Sequence, residues 1–245
     1  MFRRTANVYD LIYRATGKDY AAEATQLTEQ IRDRQPAART LLDVACGTGG
    51  HLVHLADTFT VAGVDLDPGM LAHARAKLPG VELVEADMRR FDLGRSFDVV
   101  VCLFSSIGYM RDSHELDQAV ARMTSHLSPG GVLVIDGWVR PQAWRAGPDG
   151  RGGPHLDVAE GGDGLLVARI VRTRRDGNAV LMDMDHLVAT IEGVDHVVDQ
   201  HRVTLFTDGE YRGALDAAGL TVERLDSPMP DRDRYIGVKP QDGAA

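Results

Sequence analysis

The sequence predicts an α/β protein: a doubly wound, mixed seven-stranded sheet with a small antiparallel β-sheet inserted into it. Three observations lead there. Between Leu41 and Gly137, short apolar runs alternate with amphipathic stretches, the signature of repeated βα units. A glycine turn, Asp43 to Gly50, joins the first apolar run to a helix, as in Rossmann-like sheets. After Gly137 the pattern changes to consecutive β-like runs broken by turn signals.

The elements follow in order. Asp19 to Arg34 carries Ala, Leu and Ile at helical spacing and stops before Pro36, which predicts a helix over the sheet or its cleft. The apolar runs are LLDVA (41–45), VAGVD (61–65), VELVEA (81–86), FDVVVCLF (97–104) and GVLVIDG (131–137). Rich in Val, Leu and Ile with little alternation, they predict parallel strands covered on both faces. Between them, Asp67 to Ala76 opens with a capping Asp and a first-turn Pro. Ser113 to His126 opens SHEL and ends before a Ser-Pro-Gly-Gly turn.

Pro141 to Gly164, rich in Gly, Pro and Asp, predicts turns and loop. Three β-like runs come next: Leu165 to Arg174, Ala179 to Thr190 and His196 to Phe206, with a hairpin turn at 175–178. Thr207 caps a last helix, Asp208 to Ala218, which stops at Gly219. Leu220 to Leu225 and Tyr235 to Val238 complete the main sheet. The expected units are residues 1–140 (N-terminal helices and cofactor-binding core), 141–206 (inserted appendage) and 207–245 (completion of the core).

Composition removes several function classes. A chain of 245 residues can bury one sizeable core, and a net charge of −9 offers no basic field for nucleic acid or an anionic membrane. No apolar run approaches a bilayer span and no signal-peptide pattern opens the chain, so a cytoplasmic location is expected. Cys46 and Cys102 cannot form a disulfide framework or a closed zinc site, and the histidines lack metal-ligand spacing; no metal is expected.

The glycine turn DVACGTGG carries the chemistry. Gly47 and Gly49 let the backbone turn tightly and leave room for a ligand, and Ala45 in the same turn is expected to bind the cofactor with them. A dinucleotide fingerprint would want a small residue at position 52, where this chain has Leu. A sulfonium ligand instead needs an acceptor for its ammonium group, which Asp43 suits. Asp65, with Leu66 beside it, closes the second strand where an acid commonly takes ribose hydroxyls. Asp87 and Met88 fit an adenine site, the carboxylate accepting from the exocyclic amine. Phe104 and Ser105 end the fourth strand above the same crevice.

In order, DVACGTG, GVDLD, EADMRRF and CLFSSIGY resemble class I S-adenosylmethionine-dependent methyltransferases. More narrowly, VYDLIY, GKDYAAEA, FSSIGY and HRVTLFT look like the TDP-amino-sugar N-methyltransferases of antibiotic pathways, over Val8 to Val238. The resemblance implies methylation, often twice, of the 3-amino group of a TDP-linked deoxyhexose, and a homodimer. It places Tyr109 near the amine and sets His201 and Arg234 on the substrate side. Arg174, Arg175 and Arg202 on the inserted sheet are further cations for a diphosphate. Asp136 ends the fifth strand as a carboxylate at the crevice, in a segment where relatives carry Glu-Pro-Trp-Trp.

Tyr9, Tyr13 and Tyr20 either close a lid over the cofactor or anchor an N-terminal helix. Methyl transfer needs alignment of amine and methyl more than it needs a strong base. Competing readings on the same fold are an O-methyltransferase, an NAD-dependent dehydrogenase and a non-catalytic cofactor-binding protein.

Overall fold

The structure is a computed structural model that describes residues 5–145, 151–227 and 231–241. Helices α1 (Ala6–Ala15) and α2 (Tyr20–Arg32) precede β1 (Thr40–Val44), α3 (Gly50–Leu55), β2 (Thr60–Asp65), α4 (Pro68–Lys77) and β3 (Glu82–Glu85). Then come β4 (Phe97–Cys102), a 3₁₀ turn (Ser106–Tyr109), α5 (Ser113–Ser125) and β5 (Leu127–Asp136). Strands β6 (Arg151–Glu160), β7 (Leu166–Asp176), β8 (Ala179–Thr190) and β9 (Gly193–Thr204) form the second sheet. The chain closes with α6 (Asp208–Ala217), β10 (Thr221–Asp226) and β11 (Asp233–Val238).

Local chemistry sets the helix starts. Asp19 accepts the Ala22 N–H at 2.9 Å to open α2, and Asp67 accepts from Gly69 and Met70 ahead of Pro68. Thr207 and Glu210 make a reciprocal capping box on α6.

The main sheet runs in the order β10-β11-β5-β4-β1-β2-β3. Strands β5, β4, β1, β2 and β3 are mutually parallel; β11 alone runs against them, and β10, antiparallel to β11, points the same way as the rest. Strand order reverses between β1 and β4, which opens a crevice at their carboxyl ends. Leu116, Val120, Met123 and Leu215 cover one face; Leu27, Ile31, Leu52, Leu55 and Leu71 cover the other. Both faces are dry, hence the near-continuous apolar strands.

The inserted sheet, in the order β6-β7-β8-β9, has one strand more than its sequence predicts. Arg151–Glu160, expected as loop, is strand β6; residues 146–150 of that expected loop lie outside the described residues. Two features hid the strand. Gly152 to Pro154 occupies an irregularity where the register with β7 shifts, and a proline is tolerated at such a site. From His155 on the alternation is inverted: Leu156 and Val158 point to solvent while Asp157 is buried.

Helix α1 joins the two sheets. Val8 and Ile12 pack on Ala159 and Val167 of the inserted sheet. On its other side Asp10 accepts from the Thr48 hydroxyl at 2.6 Å and pairs with Lys77. Among the described residues no helix is long and apolar enough to cross a membrane.

Close approach of α3 to β2 depends on Gly63. A Cβ there would lie 2.8 Å from Cys46 Sγ and from Leu83 Cδ2, and 3.0 Å from Leu52 Cδ1. Strand β2 thus supplies the missing side chain, so that Leu52 fits where a dinucleotide turn would need a small residue. Gly63→Ala is expected to lower stability by about 1–3 kcal/mol through overpacking, read from chemical denaturation; an unchanged midpoint would mean the turn has slack.

Candidate active site

After β1 the backbone enters the left-handed region at Ala45 (φ 64°), Gly47 (φ 56°) and Gly49 (φ 76°). For Ala45 that conformation is strained, and such strain concentrates at ligand-holding turns. The turn is pinned from β2: Asp65 Oδ2 accepts the Gly47 N–H at 2.7 Å, and its Oδ1 accepts from Asp67 N at 2.8 Å.

Two adjoining compartments open above this turn. The larger, about 190 Å³, is lined by Asp65, Leu66, Asp67, Asp87, Met88 and Tyr109 among others. The smaller, about 40 Å³, is lined by Asp43, Thr48, His51, Tyr20 and Phe104. Ala45, Gly47, Tyr9 and Ser106 line both. The predicted residues around the glycine turn therefore converge on one bent cleft. Its large end is lined by Met70, Met88 and Met110 with carboxylates at the ribose-like position. Its narrow end is closed by aromatic rings.

The narrow end ends on Asp43, which is 2 % exposed and whose Oδ1 has no hydrogen-bond partner. Burial, then the nearby carboxylates of Asp65 and Asp136, hold its pKa well above the usual carboxylate range. A buried acceptor in that state calls for a donor cation. Asp67 Oδ2 is a second buried, unpartnered carboxylate oxygen, on the wall of the larger compartment.

At the adenine-like end Asp87 is held by Arg89, whose Nε reaches its two oxygens at 2.9 and 3.2 Å. Arg89 in turn bridges to Glu115. The Arg89 hydrogen bond is the main cause of Asp87's lowered pKa. Asp87 thus lines the cavity as a tethered carboxylate rather than a free one.

The tyrosines form one aromatic cover. Tyr9 packs tilted against Tyr13 (ring centroids 4.6 Å apart), Tyr13 meets Phe104 edge-on (5.0 Å), and Tyr20 meets His51 edge-on (4.9 Å). Tyr13 itself lines neither compartment; it packs against Tyr9 and Phe104, with the Arg169 guanidinium 4.9 Å over its ring. Burial raises the pKa of Tyr9, Tyr20 and Tyr109, so their hydroxyls stay protonated.

A buried charged group under this cover escaped the sequence reading. Lys18 lies 3.9 Å over the Phe104 ring and pairs with Glu23, which also binds His51 Nε2 at 3.0 Å. Burial pushes Glu23 up, but the hydrogen bonds from His51 and Lys18 win and hold it at about 2. The available signal was rarity: Lys18 is one of three lysines in the chain, directly before the Tyr20 helix. Ser106, which lines both compartments, was overlooked in favour of its neighbour.

Five predicted residues, Ser105, Asp136, Arg234, Arg174 and His201, line neither compartment. Ser105 (φ 64°) is buried, and its Oγ donates to the Gly137 carbonyl at 2.7 Å and accepts from Arg232 Nη1 at 3.0 Å. Asp136, expected as a catalytic carboxylate, is 1 % exposed and lines neither compartment. It accepts from Arg234 Nε at 2.8 Å and from the Phe104 N–H at 3.1 Å, fixing the strained turn at Phe104 (φ 53°). Arg234, expected at a diphosphate, is 1 % exposed and spent on Asp136 and Gln30. Arg174 is exposed on β7 in a separate groove with Arg172 and Arg202, sharing no lining residue with the two compartments. His201 is buried beneath Tyr109, with Nδ1 2.8 Å from its hydroxyl.

Residues 41–131 match a family model described as a methyltransferase domain. The chain is 46% identical, over 95% of its length and 97% of the relative, to a dTDP-3-amino-3,4,6-trideoxy-alpha-D-glucopyranose N,N-dimethyltransferase of Streptomyces venezuelae. It is similar to the crystal structure of Streptomyces venezuelae DesVI (TM-score 0.89, 45% identity, 96% of this chain and 98% of that one). It is also similar to SAM-bound CalS10, an amino pentose methyltransferase from Micromonospora echinaspora (TM-score 0.83, 38% identity, 95% and 96%).

Asp43 gives a test of the cleft. Asp43→Asn is expected to raise the melting temperature of the ligand-free protein. A carboxylate whose folded pKa is raised loses stability as pH climbs from its unfolded value through its folded one. The gap between variant and wild type should therefore widen with pH across that window. Affinity for an ammonium-bearing cosubstrate should fall about tenfold or more by calorimetry; equal affinity would remove Asp43 from the site.

Proposed function

The chain belongs to the S-adenosylmethionine-dependent methyltransferases of TDP-linked amino-deoxysugars, and on that footing we propose how its own residues work. The reading is N,N-dimethylation of the 3-amino group of a TDP-linked amino-deoxyhexose in antibiotic sugar biosynthesis. The full-length similarity to an amino-deoxysugar N,N-dimethyltransferase carries the acceptor, and the bent cleft that ends on a buried carboxylate oxygen with no partner, as an α-ammonium group requires, supports the cosubstrate. When bound, S-adenosylmethionine supplies an electrophilic methyl carbon; the amine lone pair forms the N–C bond, the C–S pair stays on sulfur, and the ammonium formed releases a proton.

The residues fit that group. Asp43 takes the ammonium, Asp65 the ribose hydroxyls through its remaining lone pairs, and Met88 with Leu66 the adenine ring. Asp87 orients Arg89 and keeps a lone pair for the exocyclic amine. Tyr9, Tyr20 and Phe104 exclude water, and their ring faces favour a neighbouring sulfonium. Alignment supplies most of the acceleration, since well-oriented reactants reach effective molarities of about 10⁵ M or more. For the diphosphate we assign Arg232 in place of Arg234: it reaches Ser105 and lies 4.3 Å over Trp138 at the acceptor side. On this reading residues 1–140 and 207–245 hold the cosubstrate, and 141–206 walls the acceptor.

The test is product mass. Incubation with S-adenosylmethionine and a panel of TDP-amino- and TDP-hydroxy-deoxyhexoses should give a gain of two methyl groups on 3-amino sugars. Transfer to hydroxyls alone, or to nothing, would overturn the reading.

We further propose a homodimer formed through the outward face of the inserted sheet, and a cytoplasmic setting that suits two buried, unpaired thiols. Among the described residues, all the large exposed apolar side chains except Leu66 and Ile191 lie on that face: Leu156, Val158, Leu166, Ile170, Leu187, Val194 and Val198. Strand register sets Leu156 opposite Ile170, and Val158 and Leu187 opposite Ala168, making a continuous patch. Such a patch marks an interface. Light scattering should give the mass of two chains for wild type and of one for Ile170→Asp/Leu187→Asp, with cosubstrate affinity retained; a monomeric wild type would exclude the dimer.

A further inference from the structure

We propose that His201 is a positioning residue: its Nδ1 engages the proton of the Tyr109 hydroxyl, so that Tyr109 meets the incoming amine only as a hydrogen-bond acceptor. The inference rests on the amine-methylation reading above and adds a role that the cofactor cleft alone does not require.

The geometry is specific. Tyr109 closes the 3₁₀ turn after β4 and lines the larger compartment beside Tyr9 and Ser106, which line both. Its hydroxyl lies 2.8 Å from His201 Nδ1 on β9. Gly108 permits that approach, since a Cβ there would fall 2.6 Å from Val203 Cγ1 and 3.3 Å from Trp138 Cβ. The glycine in Ser-Ile-Gly-Tyr thus draws the turn against β9 two residues from His201. Burial holds His201 near 3, so its ring is neutral, and burial keeps Tyr109 protonated. The pair is a phenol and a neutral imidazole, not an ion pair.

A phenol beside an amine nucleophile has two choices. It can donate to the nitrogen, occupying the very lone pair that must attack the methyl carbon. Alternatively it can accept an N–H, which turns the lone pair away from the tyrosine and frees it to react. Holding the hydroxyl proton on His201 removes the first choice. The same arrangement serves the second methylation, when only one N–H remains to be accepted.

The test is a mutant cycle with a structural readout. His201→Leu frees the Tyr109 proton and is expected to lower kcat about tenfold, with KM for S-adenosylmethionine little changed. His201→Asn, whose side-chain carbonyl stands near the Nδ1 position, should restore most of that loss. Adding Tyr109→Phe to His201→Leu removes the misdirected donor, so the double variant should turn over as fast as Tyr109→Phe alone. Heteronuclear NMR of the wild-type ring should find the proton on Nε2.

Unchanged kcat in His201→Leu, losses that multiply in the double variant, or a proton on Nδ1 would each overturn the proposal. Should His201→Leu fail to fold, His201→Asn and the ring NMR decide. Should the wild type methylate no amine, the functional reading fails, while the NMR still reports the polarity of the Tyr109–His201 bond.

Discussion

Three parallel strands carry carboxylates at their carboxyl ends, Asp43 and Asp136 buried and Asp65 half-buried, and a fold cannot leave all three charged without partners. Asp65 is answered by backbone N–H groups of the glycine turn and of Asp67. Asp136 is answered by Arg234 and the Phe104 N–H. Asp43 alone keeps an unpartnered oxygen, and its two neighbours raise its pKa further. The cleft is built around that asymmetry. Two carboxylates shape the backbone on either side, and the third is reserved for a cation brought from outside.

The same asymmetry explains which assignments sequence reasoning could make. Asp43 and Asp65 sit at fixed offsets from a glycine turn, so local pattern is enough to find them. Asp136 reads identically in sequence, an acid at a strand end above the crevice. What sets it apart is β11, which returns antiparallel and puts Arg234 directly opposite Asp136. No local signal carries a pairing between residues so far apart in the chain. Arg234 was misread for the same reason, as an open cation when its guanidinium is committed.

Elsewhere the limits were equally physical. The apolar strands and capped helices of the main sheet follow from period and punctuation, and the structure has them with ends shifted by a few residues. Strand β6 was missed because Asp157 occupies an inward position, satisfied by Arg169 at 2.8 Å. A sequence pattern that equates buried with apolar inverts there. Lys18, Glu23 and His51 meet only because α2 lies across α3, a tertiary fact that neither segment announces.

Helix α1 braces the mouth of the cleft from both sides. It grips the glycine turn through Asp10, grips the inserted sheet through Val8 and Ile12, and reaches Asp199 on β9 through Thr5. Its Tyr9 borders both compartments of the cleft. Each transfer exhausts one cosubstrate molecule, so two transfers to one nitrogen demand an exchange in between. The helix beside that exchange is fastened at once to the glycine turn and to the inserted sheet, so the two sheets share one brace at the mouth of the cleft.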